Sequence, residues 1–128
     1  MNYIGSLCFN YLRSEGYLPK YTDQEDVIFK VQGRTFIVSI DKDDDQYLRL
    51  LLPAFHEIEG NLEMNKALRV ANLVNQTVKV GKIMIINNNA WAFAEQFIDS
   101  TPDIEDFFKR TIKVVTKAAE DFQNGMEY

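Results

Sequence analysis

Cysteine, histidine and tryptophan each occur once in this 128-residue sequence, proline three times and glycine six times. Each scarcity removes a class of function. The single thiol, Cys8, cannot close an internal disulfide, and its place on an apolar helical stripe reads as a small buried hydrophobe in a reducing compartment. His56 and Cys8 lie far apart in the chain and make neither a nucleophile, base and orienter set nor the ligand set that zinc prefers. No H-E-x-x-H frame is present. The glycines at Gly5, Gly16, Gly33, Gly60, Gly81 and Gly125 are isolated, so neither G-x-G-x-x-G nor a Walker loop can be drawn. No run approaches the roughly eighteen apolar residues of a membrane span, and the start MNYIGSLCFNYLRSEG lacks a basic segment followed by an apolar one. The expectation is therefore a cytoplasmic protein with no catalytic residue, no metal, no cofactor and no membrane partner.

What is present suits one globular domain. Hydrophobic residues make up 46% and charged residues 26%, and at this length folding removes roughly two-thirds of the unfolded chain's surface from water. A net charge of -5 repels phosphate backbones, so no nucleic-acid partner is expected. The densest acidic run, Asp41 to Asp45, alternates carboxylates as the first ligands of a calcium hand do. Gln46 and Leu52 then stand where that geometry needs glycine and glutamate, which leaves a solvated hairpin loop.

Periodicity supplies the elements. Ile4, Leu7, Cys8, Tyr11 and Leu12 share one face of a first helix over about residues 2 to 15, closed by Gly16. Two alternating runs around Gln32 and Gly33 form a hairpin, and a third strand follows the aspartate loop until Pro53 ends its pairing. A middle helix capped by Asn61 places Met64, Ala67, Leu68, Ala71 and Val74 on its core face. One polar residue, Asn75, interrupts that face; its amide reads as a tie between the helix end and the strand that begins near Val78. Gly81 marks a bulge or a close approach, three asparagines turn the chain, and the segment AWAFAEQF forms the fifth strand. The last helix is capped by Thr101 and stopped by Gly125, with a core stripe from Ile104 to Phe122. The order is helix, three strands, helix, two strands, helix, an α+β class with helices packed on one antiparallel sheet.

Two surface features stand out. Lys109, Arg110, Lys113 and Lys117 make a basic flank on the last helix, read as a solvated face because Glu105, Asp106 and Asp121 sit four residues from several of them; an acidic partner or phosphate is the alternative. Val70 and Leu73 on the middle helix, Tyr47 and Leu51 on the third strand, and Trp91 and Phe93 on the fifth exceed what one core face needs. They are either ordinary second-face packing or an exposed contact patch.

The middle helix ending in the N-x-x-N pair Asn72 and Asn75, followed by VKVGKIMI, a polar turn and a last strand, resembles the YbjN-type bacterial sensory-transduction regulators, whose fold is similar to type III secretion chaperones. The resemblance implies a homodimer with a protein-binding or chaperone-like role and no catalytic residues. A non-enzymatic interaction module is the favoured expectation, with Val70, Leu73, Trp91 and Phe93 as partner contacts and Asn72 and Asn75 as structural polar residues. The alternative is a small-molecule sensor or enzyme with a pocket between sheet and helices, where Asn75, His56 and Tyr47 supply polar groups.

Overall fold

Strand alternation along this chain builds one antiparallel sheet, and three helices bury its apolar face. The computed structural model describes residues 3–99 and 102–127. Helix α1 (Tyr3–Ser14) precedes β1 (Lys20–Tyr21), β2 (Val27–Val31), β3 (Arg34–Ser39) and β4 (Tyr47–Glu57). Then come α2 (Gly60–Thr77), β5 (Lys82–Ile86), β6 (Asn89–Phe97) and α3 (Ile104–Met126). The strand order is β1-β2-β3-β4-β6-β5, antiparallel throughout. The α+β class and the helices on one sheet are as the periodicity indicates.

Turn chemistry sets the registers. Gln32 and Gly33 have φ of 50° and 80°, the two left-handed residues that a two-residue hairpin with native twist needs, and Val31 is paired with Arg34 across it. Val27, Phe29, Phe36, Val38, Leu48, Leu50 and Leu52 then face inward with Ala90, Ala92 and Ala94. Three small alanines on β6 leave room for α3, whose Phe108, Val115 and Phe122 are fully buried. Phe29 stacks on Phe36 at 5.5 Å and meets Phe108 at 6.0 Å, while Tyr11 of α1 meets the Phe108 ring edge-on at 5.5 Å. These contacts join α1, β2, β3 and α3 through aromatic burial.

Several expectations are corrected. The strand β1 has no alternation signal, being two residues long after Pro19. Pro53 does not end β4: the pairing jumps from Leu52 opposite Ala92 to His56 opposite Ala90, and the intervening bulge, with Ala54 at φ 45°, holds the proline where no ladder donor is needed. Asn61 is not the cap of α2. Glu59 holds that position without a side-chain cap bond, and Glu63 accepts its backbone N–H at 3.1 Å. Leu68 is exposed, because the buried stripe of α2 runs through Ala67, Ala71 and Val74. Val78 is a buried helix cap rather than the start of β5. The cap expected at Thr101 lies outside the described residues; Asp103 accepts the N–H of Asp106 at the start of α3. Gly125 lies within α3, which runs to Met126, rather than stopping it; a Cβ there would lie 2.6 Å from a Val70 methyl of α2.

The close approach expected at Gly81 is present and severe. A Cβ there would lie 2.2 Å from the Val114 carbonyl oxygen of α3. One residue earlier, Val80 has φ of 68°, and the Gly81 N–H donates to the Lys79 carbonyl at 2.7 Å, a γ-turn that a β-branched residue adopts only under strain. Gly81→Ala is expected to cost about 2–3 kcal/mol, since the obstructing atom is backbone. Val80→Gly is expected to stabilise by on the order of 1 kcal/mol, because relief of the left-handed strain exceeds the entropy that glycine adds to the unfolded chain. Urea unfolding of both variants checks the two opposite signs.

Candidate protein interface

Period-two alternation that sends one set of side chains into the core sends the other set to the opposite sheet face. No described helix covers that face. Register aligns its apolar members: Ile28 lies opposite Ile37, Ile37 opposite Leu51, and Leu51 opposite Phe93, one row across four strands. Beside this row Trp91 lies opposite Met84, and beyond it Tyr47 lies opposite Phe97. Crowding within the row leaves Leu51 only 9% exposed even without a covering layer, whereas Phe97 is 83% exposed at the rim.

One charged pair sits inside this apolar field. The Arg49 guanidinium lies 5.7 Å from the Phe93 ring centre, its Nη2 is 3.8 Å from the Met84 sulfur, and its Nε is 3.8 Å from Glu95 Oε2. Arg49 Nε is buried and makes no hydrogen bond. The Tyr47 hydroxyl donates to Glu95. Desolvation, then the hydrogen bond to Glu95, pushes the phenol of Tyr47 up to about 12. Arg49 therefore sits over an aromatic ring, a cation–π contact worth about 0.5–1 kcal/mol at a partly exposed site.

The sheet's edges are less available than its open face. At the β5 edge the Asn75 side chain acts as a one-residue strand: Ile83 N–H donates to Asn75 Oδ1 at 2.7 Å, and Asn75 Nδ2 donates to the Ile83 carbonyl at 3.1 Å. By the alternation of an antiparallel pair, Ile85 is the other β5 residue whose peptide groups face outward. Lys82 completes the junction. Its ammonium donates to the carbonyls of Asn75 at 2.9 Å and Val78 at 2.8 Å, supplying positive charge to a helix end that has no basic residue in its own last turn. At the opposite edge β1 is two residues long and follows Pro19, a terminus poorly suited to strand addition.

The structure brings together four of the surplus apolar residues, Tyr47, Leu51, Trp91 and Phe93, and adds Ile28, Ile37, Met84 and Phe97. Val70 and Leu73 are elsewhere, because α2 packs on the covered side of the sheet. Val70 is half-buried against α3, with its methyl 2.6 Å from where a Gly125 Cβ would sit, and Leu73 is 61% exposed on the outer flank of α2. Asn72 is exposed, whereas Asn75 makes the two edge bonds. The set proposed for a ligand pocket does not converge. His56 lines a separate cleft of about 770 Å³ with Arg34 and Lys66, with its Nε2 3.4 Å from Glu63 and its ring edge-on to Phe122. Cys8 is fully buried, and burial pushes its thiol up to about 12. Among the described residues no group of three or more His, Cys, Asp or Glu side chains is placed to hold a metal ion, and no helix is long and apolar enough to cross a membrane.

No family model matches the chain, and no curated protein matches it. Among solved structures, the crystal structure of an uncharacterized protein from Methanothermobacter thermautotrophicus is similar over 95% of each chain, with a TM-score of 0.72 at 10% identity. That likeness establishes a shared fold.

Asn75→Ala is expected to cost about 1–3 kcal/mol, since it strips both partners from the Ile83 peptide groups; urea unfolding measures the loss, and amide exchange at Ile83 accelerates in parallel. The thiol of Cys8 is raised in the folded state, so its contribution is full below the unfolded value near 9.0 and is lost as pH rises toward 12. Stability therefore falls through that interval, and the fall is shallower in Cys8→Ala when both proteins are melted across the same pH series.

Proposed function

We propose that this chain is a non-enzymatic protein-binding module that acts as a homodimer, with the uncovered sheet face as its contact surface. The carrying observation is the row Ile28, Ile37, Leu51 and Phe93 with Trp91 and Met84 beside it, an apolar face with no layer over it among the described residues. An antiparallel sheet exposes one face to water at low cost only when that face is polar. Here it carries two large aromatic side chains on β6, one strand in from the edge.

A second copy suits this face by size and by charge. The six strands hold 38 residues, which at about 3.3 Å per residue and about 4.8 Å between strands present a face on the order of 600 Å². A standard interface takes about 800 Å² from each partner. Arg49 and Glu95 neutralise each other within the face, and two further charges, Lys20 opposite Ile28 and Lys30 two residues along β2, lie toward the β1–β2 end. Partial obstruction of the sheet edges, by Asn75 at Ile83 and by the two-residue β1, favours docking on the face over strand addition. The YbjN-type resemblance supplies the further reading of a chaperone-like or regulatory role in the cytoplasm.

The cleft beside His56 favours a second reading, a small-molecule sensor or enzyme, because its volume falls within the range of about 300–1,000 Å³ typical of ligand sites. A thermal-shift screen against metabolites separates the two, since a ligand that binds only the native state raises the melting temperature.

Light scattering is expected to show a mass that rises from monomer to dimer with concentration, and Phe93→Glu is expected to hold the protein monomeric with its fold intact by circular dichroism. A wild-type chain that stays monomeric at high concentration sinks the homodimer, as does a Phe93→Glu variant that dimerises as well as wild type.

A further inference from the structure

The basic flank of α3 is exposed to solvent, as its charge spacing suggests, and it also borders a groove. Of the pairs expected there, the structure forms Lys117 with Asp121 at 3.2 Å, and neither Lys109 nor Lys113 reaches a carboxylate among the described residues. Instead Lys109, Lys113 and Lys117 line one wall of a groove of about 320 Å³ between α1, α3 and the β2–β3 hairpin. Four-residue spacing places them about 6 Å apart along the groove. Its apolar side is supplied by Tyr17, Val31 and Ile112, from three separate elements. One carboxylate, Glu120, also lines the groove; it is half-exposed and lies 3.9 Å from Arg34, so its charge is offset there, while Glu15 accepts the Tyr11 hydroxyl at 3.5 Å.

We propose that this groove docks an acidic peptide segment of a partner protein, with one large apolar side chain seated between Tyr17, Val31 and Ile112 and flanking carboxylates paired to the lysine row. Three ammonium groups in one line, of which Lys117 is paired with Asp121, in a chain of net charge -5, make a local positive stripe that complements acid and repels a basic segment. The apolar wall adds what a bare charge row lacks, a place to bury an anchor residue. This site is on the helical side of the molecule, opposite the open sheet face, so its occupancy is independent of the homodimer.

A displayed random-peptide library panned on the whole protein tests it. Enriched peptides carry glutamate or aspartate around a leucine or aromatic residue, and their affinity falls roughly tenfold or more when Lys109→Glu, Lys113→Glu and Lys117→Glu are combined. Affinity survives the three lysine-to-arginine changes, weakens as salt rises, and is unaltered by Phe93→Glu. Melting curves of each variant confirm that the fold is kept, and the salt series stands alone if the triple reversal unfolds. The proposal is overturned if the library enriches nothing, if the peptides show no acidic bias, if charge reversal leaves affinity unchanged, or if the lysine row binds anionic vesicles and no peptide.

Discussion

A single carboxamide holds the architecture at its most exposed seam. Asn75 leaves the apolar stripe of α2 and satisfies both peptide groups of Ile83, so the helix end serves as the last strand of the sheet. Lys82 reaches back to neutralise that helix end, and Gly81 lets the chain pass against the Val114 carbonyl of α3. The four residues between the end of α2 at Thr77 and the start of β5 at Lys82 make this passage, and the strained backbone falls at Val80. Polar satisfaction, dipole compensation and backbone contact thus converge within nine residues, and each depends on the asparagine being where an aliphatic residue would otherwise pack.

Closing that edge has a consequence for binding. A sheet whose edges are plugged or short has one large surface left, and in this molecule that surface is apolar. Leu51 is nearly buried by its row neighbours alone, while Arg49 lies over Phe93 and shields part of the ring from water. The face is consequently preorganised: its side chains already touch one another, so association costs little further rotamer entropy. The helices do the opposite work on the other side, where alanines on β6 admit α3 closely and the core is covered.

The class of the fold and the existence of five strands and three helices were legible from periodicity, because each long element repeats its apolar spacing several times. What escaped is what periodicity does not encode. The strand β1 is too short to alternate, the bulge at Pro53 and Ala54 depends on pairing across to β6, and Gly125 looks like a stop signal until the partner Val70 is known. The candidate surface was half legible. Trp91 and Phe93 were recognisable as surplus, but only register shows that Ile28 and Ile37 continue their row, and only packing shows that Val70 is used by α3. Asn75 was recognisable as a tie from the helix end to the following strand, and its partner is Ile83, the second residue of a β5 that starts at Lys82 rather than near Val78.

Trp91 is the chain's one tryptophan and lies on the open face, which makes its fluorescence a direct reporter of what covers that face. If a second copy packs there, emission shifts to the blue and iodide quenching declines over the same concentration range in which the scattering mass doubles. A Trp91 that stays equally quenchable while the mass doubles contradicts the assignment and moves the dimer to another surface.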